Sequence, residues 1–231
     1  MTKVETHPEI RDAIRKLCGR FPGQYWRALD RERAYPKDFV NALTEAGWLS
    51  VLIPEQYGGA GLGIGAACAV LEEIHRSGAN GAACHAQMYT MGTLLRHGSD
   101  AQKEKWLPKI ASGEVRLQAF GVTEPTSGTD TTRIQTFAKK VGDKYVVNGS
   151  KIWISRAEHS DLMILLCRTS QRDEAGKASD GMSVLLVDMR EAKGKGLTIK
   201  PVRTMLNHAT TELFFDNMEV PVENLIGQEG A

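Results

Sequence analysis

The stretch Phe120-Gly121-Val122-Thr123-Glu124-Pro125-Thr126-Ser127-Gly128-Thr129-Asp130 decides how this chain is read. It follows a short apolar run and crowds hydroxyl and carboxylate side chains around Pro125 and Gly128. Such a loop is too polar for a core segment. It brings backbone N–H groups and small oxygen-bearing side chains up to a ligand such as a polar heterocycle or a phosphate. A second stretch, Asn148-Gly149-Ser150-Lys151-Ile152-Trp153-Ile154-Ser155, sets the flat indole of Trp153 two residues from the hydroxyl of Ser155 on an expected strand. Taken singly, the first stretch reads as a strand-ending turn held by its own side chains and Trp153 as a core residue. Taken together, they outline a site for a flat, hydrogen-bonding ring.

Working outward, 231 residues with 42% apolar content are enough for one large domain or two ordinary ones, each with its own core. A net charge of +1 gives no electrostatic reason to expect nucleic acid or an anionic membrane surface. The four cysteines are far apart and share no ligand spacing with the six histidines, so neither a disulfide framework nor a metal site is expected. The N-terminus lacks an apolar signal region and no long apolar run is present, which predicts a cytoplasmic protein with no membrane span.

Up to about Ser112 the apolar spacing is helical. Thr6 and Glu9 suggest a capping box for a first helix carrying Ile10, Ile14, Leu17, Cys18 and Phe21, which ends before Pro22-Gly23. Pro36 opens a second helix with Phe39, Val40 and Leu43 inside and Gly47 as its stop. A glycine-dense loop from Glu55 to Gly63 leads to expected helices over Ile64–Arg76 and Ala82–His97, and Ser99 with Gln102 caps a last one. From Val115 the period switches to two. Strands are expected at Arg116–Val122, Ile134–Val141, Lys144–Val147, Lys151–Ile154, Asp161–Arg168, Met182–Asp188, Leu197–Pro201 and Glu212–Phe215. Gly142-Asp143 and Asn148-Gly149 read as hairpin turns, and Ser170–Gly181 as an exposed loop. The expectation is an α+β multidomain chain: an all-helical domain over 1–113, a small antiparallel β-barrel or sandwich over 114–224, and a linker beginning at 225–231.

Domain order and the two motifs together resemble the acyl-CoA dehydrogenase family. Val122-Thr123-Glu124-Pro125-Thr126-Ser127-Gly128-Thr129-Asp130 is similar to the family signature, Lys151-Ile152-Trp153-Ile154-Ser155 to its Lys-x-Trp-Ile-Thr/Ser strand, and Glu212 to Gly227 to the strand that leaves its β domain. The resemblance implies FAD as cofactor. Phe120 and Val122 would border the flavin, the Thr123 hydroxyl would bond its pyrimidine edge, and Gly128 and Thr129 would contact cofactor and acyl-CoA. Trp153 would lie against the ring, with Ile154 beside it and Ser155 hydrogen-bonding near N5, while Glu124 would hold the loop in place. Arg133, where the family often has a small residue, reads as a solvated side chain or as a contact to a phosphate of coenzyme A. His208 reads as structural.

The activity implied is α,β-dehydrogenation of an acyl-CoA thioester to the 2,3-enoyl-CoA. Electron-transfer flavoprotein is the implied acceptor, and a homotetramer the implied assembly of a complete protein. In the family the base is a glutamate of a C-terminal helical domain, so no catalytic residue is assigned here and the chain alone is expected to be inactive. Alternatives are an acyl-CoA oxidase or flavin monooxygenase on the same scaffold, and a non-catalytic flavin- or CoA-binding subunit.

Overall fold

A computed structural model describes residues 6–172 and 176–230. They divide into two compact units, one of residues up to Leu95 with Lys103–Glu114, the other of Arg96–Gln102 with the residues from Val115 onward.

The helical elements are α1 (Pro8–Cys18), α2 (Gly23–Glu32), α3 (Lys37–Glu45), α4 (Ile64–Arg76), α5 (Ala82–His97) and α6 (Asp100–Ser112). Residues at helical spacing, among them Ile14, Phe39, Leu43, Val70 and Ile74, are fully buried in one cluster. Glu73, 2% exposed, is held by Arg11, Arg15 and Arg76, a charge burial that only several partners make tolerable. The Ser99–Gln102 capping box is present: Ser99 N–H donates to Gln102 Oε1 at 3.0 Å and Gln102 N–H to Ser99 Oγ at 3.2 Å. The expected Thr6 box is not. The residue before α1 is His7 in a left-handed conformation with no side-chain cap, and Pro8 starts the helix. Helix α2 lies where Pro22-Gly23 had suggested only a stop. It buries no residue fully and meets the core through the partly buried Tyr25 and Trp26.

The second unit is a mostly antiparallel sheet of eight strands: β1 (Leu117–Gly121), β2 (Phe137–Val141), β3 (Lys144–Ser155), β4 (Leu162–Arg168), β5 (Met182–Asp188), β6 (Leu197–Pro201), β7 (Thr210–Pro221) and β8 (Leu225–Ile226), with a short helix α7 (Met189–Ala192) after β5. The order is β6-β7-β3-β2-β4-β5-β8, with β1 paired to β4. The sheet is open. Of the expected barrel or sandwich, the barrel is not closed; the mostly antiparallel β unit after a helical one is as expected, and the inner face of its sheet holds one cluster including Tyr145, Val147, Met163, Leu165, Leu185, Leu213 and Met218. The sheet is also not purely antiparallel, since β1 and β2 both run parallel to β4.

One expected turn forms and the other does not, and the difference places the site. The Gly142-Asp143 hairpin forms between β2 and β3. Asn148-Gly149 makes no turn: β3 runs through it for 12 residues, paired along its length with β7. A local turn signal yields here to pairing with a distant strand, and the one extra residue lies on β7, where Asp216 and left-handed Asn217 bulge opposite Asn148. Because β1 and β2 follow one another along the same side of β4, the polar loop between them is an excursion from the middle of the sheet, and β3 passes beside it.

Candidate functional site

The loop from Val122 to Gln135 is fixed from within. Glu124 and Ser127 exchange backbone hydrogen bonds at 2.9 and 3.1 Å, and Ser127 Oγ donates to the Asp130 carbonyl at 2.6 Å. Asp130 accepts from Thr132 N–H and Oγ1, which opens the short 3-10 turn Thr131–Arg133. Arg168, 3% exposed, ties the end of this segment down by donating to the carbonyls of Thr132, Ile134, Ala178 and Asp180.

Beneath the loop lies a buried ion pair. Lys151, 0% exposed, donates to Glu124 Oε1 at 2.8 Å and to the Val122 carbonyl at 2.9 Å. Glu124 also accepts from the N–H groups of Gln135 at 2.6 Å and Thr136 at 2.9 Å. Burial pushes the Glu124 carboxyl up, but the hydrogen bonds from Lys151, Thr136 and Gln135 and the Lys151 charge together leave it below its ordinary value. Burial pulls Lys151 down, with Glu124 offsetting part of that. Gly121 makes room for the lysine stem: a Cβ there would lie 3.1 Å from Leu165 Cδ1, 3.2 Å from Met163 Sδ and 3.7 Å from Lys151 Cγ.

Alternation along β3 turns Tyr145, Val147 and Lys151 inward, and would carry Trp153 into the core with them. A second bulge prevents this. Lys151 pairs with Leu213 and Ile154 with Thr211, so β3 holds one residue more than β7 over that step. The extra residue is taken up at Trp153, whose φ is 62°, a left-handed conformation that costs an L-residue about 1–2 kcal/mol. Ile154 is thereby turned inward, 2% exposed, and the indole outward, 56% exposed. Phe120, the outward residue of β1, is 38% exposed. The two motifs are stitched together by the Ile152 N–H, which donates to the Thr123 carbonyl at 2.9 Å.

The structure therefore brings Phe120, Val122, Thr123, Trp153 and Ser155 to one neighbourhood, with Val122, Thr123 and Ser155 half-buried. Ile154 differs from them. Its side chain belongs to the core and its carbonyl accepts from Thr211 Oγ1 at 2.8 Å. Gly128 and Thr129 are exposed at the loop tip, and a Cβ at Gly128 would meet nothing within 4 Å. Arg133 is exposed on the 3-10 turn. Sequence reasoning missed Asn207. With φ 55°, it donates from Nδ2 to Ser155 Oγ at 2.7 Å, while Arg156 N–H donates to the Ala209 carbonyl at 2.7 Å. The Ser155 oxygen, accepting from Asn207, keeps its own proton to donate. An exposed aromatic face beside hydroxyl donors suits a flat heterocycle with acceptor atoms along its edge, so these residues fit a flavin.

Two family descriptions match the chain: "Acyl-CoA dehydrogenase, N-terminal domain" over residues 4–114 and "Acyl-CoA dehydrogenase, middle domain" over 119–218. The chain belongs to the acyl-CoA dehydrogenase family. Among its relatives, the glutaryl-CoA dehydrogenase of Desulfococcus multivorans is 36% identical over 230 residues, covering 96% of this chain and 56% of that protein. The short-chain-specific acyl-CoA dehydrogenase of Clostridium acetobutylicum is 35% identical over 227 residues, covering 96% and 58%. The chain thus spans a little over half the length of those curated relatives. Of solved structures, an acyl-CoA dehydrogenase from Geobacillus kaustophilus superimposes with a TM-score of 0.88 at 29% identity, covering 99% of this chain and 60% of that one. A glutaryl-coenzyme A dehydrogenase in complex with glutaryl-CoA gives 0.87 at 31%, covering 100% and 58%. Among the described residues, no helix is long and apolar enough to cross a membrane and no group of His, Cys, Asp and Glu is placed to hold a metal ion.

Proposed function

We propose that this chain is the helical and β portion of an FAD-dependent acyl-CoA dehydrogenase that converts an acyl-CoA thioester to its 2,3-enoyl-CoA. The observation that carries the reading is Trp153: a bulge and a left-handed backbone hold a large aromatic out of the core, beside free hydroxyl donors, in a fold that gains no stability from doing so. Bound FAD would supply the redox step by accepting hydride from the acyl chain. The chain's own residues bind and orient. Trp153 and Phe120 offer aromatic faces to the ring, Val122 its main chain, Thr123 a hydroxyl to the pyrimidine edge, and Ser155, steadied by Asn207, a hydroxyl near the reacting edge, with Ile154 anchoring that strand in the core. Gly128 contacts the cofactor, Thr129 the cofactor and the acyl-CoA, and Arg133 is either a solvated side chain or a contact to a phosphate of coenzyme A.

In this reading residues 1–113 and 114–224 are two domains, and the chain from 225 leads toward a C-terminal helical domain that contributes the carboxylate base. No residue of this chain is catalytic by itself, and the isolated chain is inactive. The whole protein is a cytoplasmic homotetramer that passes electrons to electron-transfer flavoprotein. A second reading, an oxidase on this scaffold, is favoured by the likeness to a prolyl acyl-carrier-protein oxidase, with a TM-score of 0.86 at 25% identity over 96% of this chain and 58% of that one. Anaerobic addition of acyl-CoA to the protein expressed over its whole reading frame separates the two. Bleaching of the flavin band with slow reoxidation by air supports the dehydrogenase, fast peroxide formation supports the oxidase, and no bleaching by any acyl-CoA overturns both.

A further inference from the structure

We propose that Lys151 is a positioning residue for the flavin: acting through the Val122 carbonyl, it strengthens the Thr123 main-chain N–H as a donor to the ring's pyrimidine edge. The inference rests on the flavin reading above and goes beyond it, since Lys151 never touches the ring.

The Val122 C=O and the Thr123 N–H belong to one planar amide, whose electrons are delocalised over oxygen, carbon and nitrogen. The Lys151 ammonium sits 2.9 Å from that oxygen, with no solvent contact to screen it. A cation donating to the oxygen draws density away from the nitrogen, so the N–H at the other end of the amide becomes the stronger donor. The far side of Thr123 is fixed as well, because its carbonyl accepts from Ile152 N–H at 2.9 Å. Among the described residues no hydrogen-bond partner is found for the Thr123 N–H or hydroxyl, so both remain for a ligand.

Anchoring the loop does not itself require a lysine. Glu124 already accepts from the N–H groups of Gln135 and Thr136, and a buried ion pair is commonly matched in stability by well-packed neutral residues. The charge contributes something packing does not: a fixed positive end behind an amide that faces the edge of the ring where negative charge accumulates on reduction. The titratable groups facing Lys151 are Glu124 and Cys167, and burial pushes the Cys167 thiol up to about 12. The thiol is neutral at working pH, and Glu124 alone balances the lysine.

The double variant Lys151→Met with Glu124→Gln tests this, because it removes both charges and leaves no orphaned ion. It is made in the protein expressed over its whole reading frame, and the midpoint potential of bound FAD is measured by dye equilibration beside the unaltered protein. A donor that favours the anionic reduced ring raises the potential, so the variant should fall by about 30 mV, the equivalent of a tenfold loss in preference for the reduced form in a two-electron couple. An unchanged or higher potential overturns the inference. Should the variant retain no FAD, isotope-edited Raman spectra of the unaltered protein loaded with FAD labelled at C2 decide: a carbonyl stretch lowered relative to FAD in water supports the strengthened donor, and one at the aqueous position overturns it. Presence of flavin in the unaltered protein tests the function proposed above, whereas the variant difference tests Lys151 and the Raman shift tests the donor that Lys151 backs.

Discussion

The Ile152 N–H lies 2.9 Å from the Thr123 carbonyl, so the strand that presents Trp153 and the loop that presents Thr123 are one hydrogen-bonded unit. The Glu124–Lys151 pair backs that unit, and the left-handed turn at Trp153 sets which side chain leaves it. Each part makes a separate prediction.

Trp153 trades stability for exposure. Trp153→Gly relieves the left-handed strain and removes an indole that is 56% exposed, so the folded protein should gain about 1 kcal/mol. FAD retention should weaken about tenfold through loss of the stacked ring. Chemical denaturation and flavin titration on the same preparation read both changes, and a variant that loses stability while keeping its flavin contradicts the assignment.

Glu124 gives an acid-side signature. Its folded-state carboxyl is held below the ordinary value, so protons bind the unfolded chain first as the pH falls. The stability it contributes is complete above the ordinary carboxylate range and is lost as the pH drops through the folded value. Glu124→Ala should cost about 3–5 kcal/mol at neutral pH, by leaving Lys151 buried without its partner. The difference in thermal midpoint between this variant and the unaltered protein should shrink on acidification, and a difference that is constant with pH would count against the ion pair.

Gly149 takes a backbone few residues adopt. Its φ is 141°, and a Cβ there would sit 2.7 Å from Thr136 Cα, within the backbone of the segment that binds Glu124. Gly149→Ala should destabilise by about 2 kcal/mol or more through strain and overpacking, read as a fall in denaturation midpoint. Gly128→Ala, with open space around its Cβ, should leave stability unchanged within about 0.5 kcal/mol.

Much of the fold was legible because local signals agreed with it. Helices α4 and α5 begin and end where glycine and polar residues interrupt the apolar spacing, and β5 and β6 fall on the expected residues. Helix α2 was not legible, since it buries no residue fully and follows a Pro-Gly pair that reads as a stop. Nor was the continuity of β3: Asn148-Gly149 is a strong local turn signal, and only pairing with β7, more than 60 residues away, overrides it. The site was legible as residue types and not as geometry. The inward turn of Lys151, a buried charge in need of a partner, follows from alternation only once β3 is seen to run unbroken through Asn148-Gly149. The same alternation puts Trp153 in the core, and the bulge that expels it depends on the register with β7. Asn207 gave no signal beyond a polar loop.

Emission from Trp153 tests the central claim most directly. The protein over its whole reading frame and its Trp153→Phe variant are stripped of flavin and titrated with FAD, and the difference between their indole emission spectra isolates Trp153. A ring lying against the indole predicts that the difference signal is almost wholly quenched as FAD saturates the site. A difference signal that persists at saturation, with FAD bound equally well by both proteins, would place the flavin elsewhere and contradict the account.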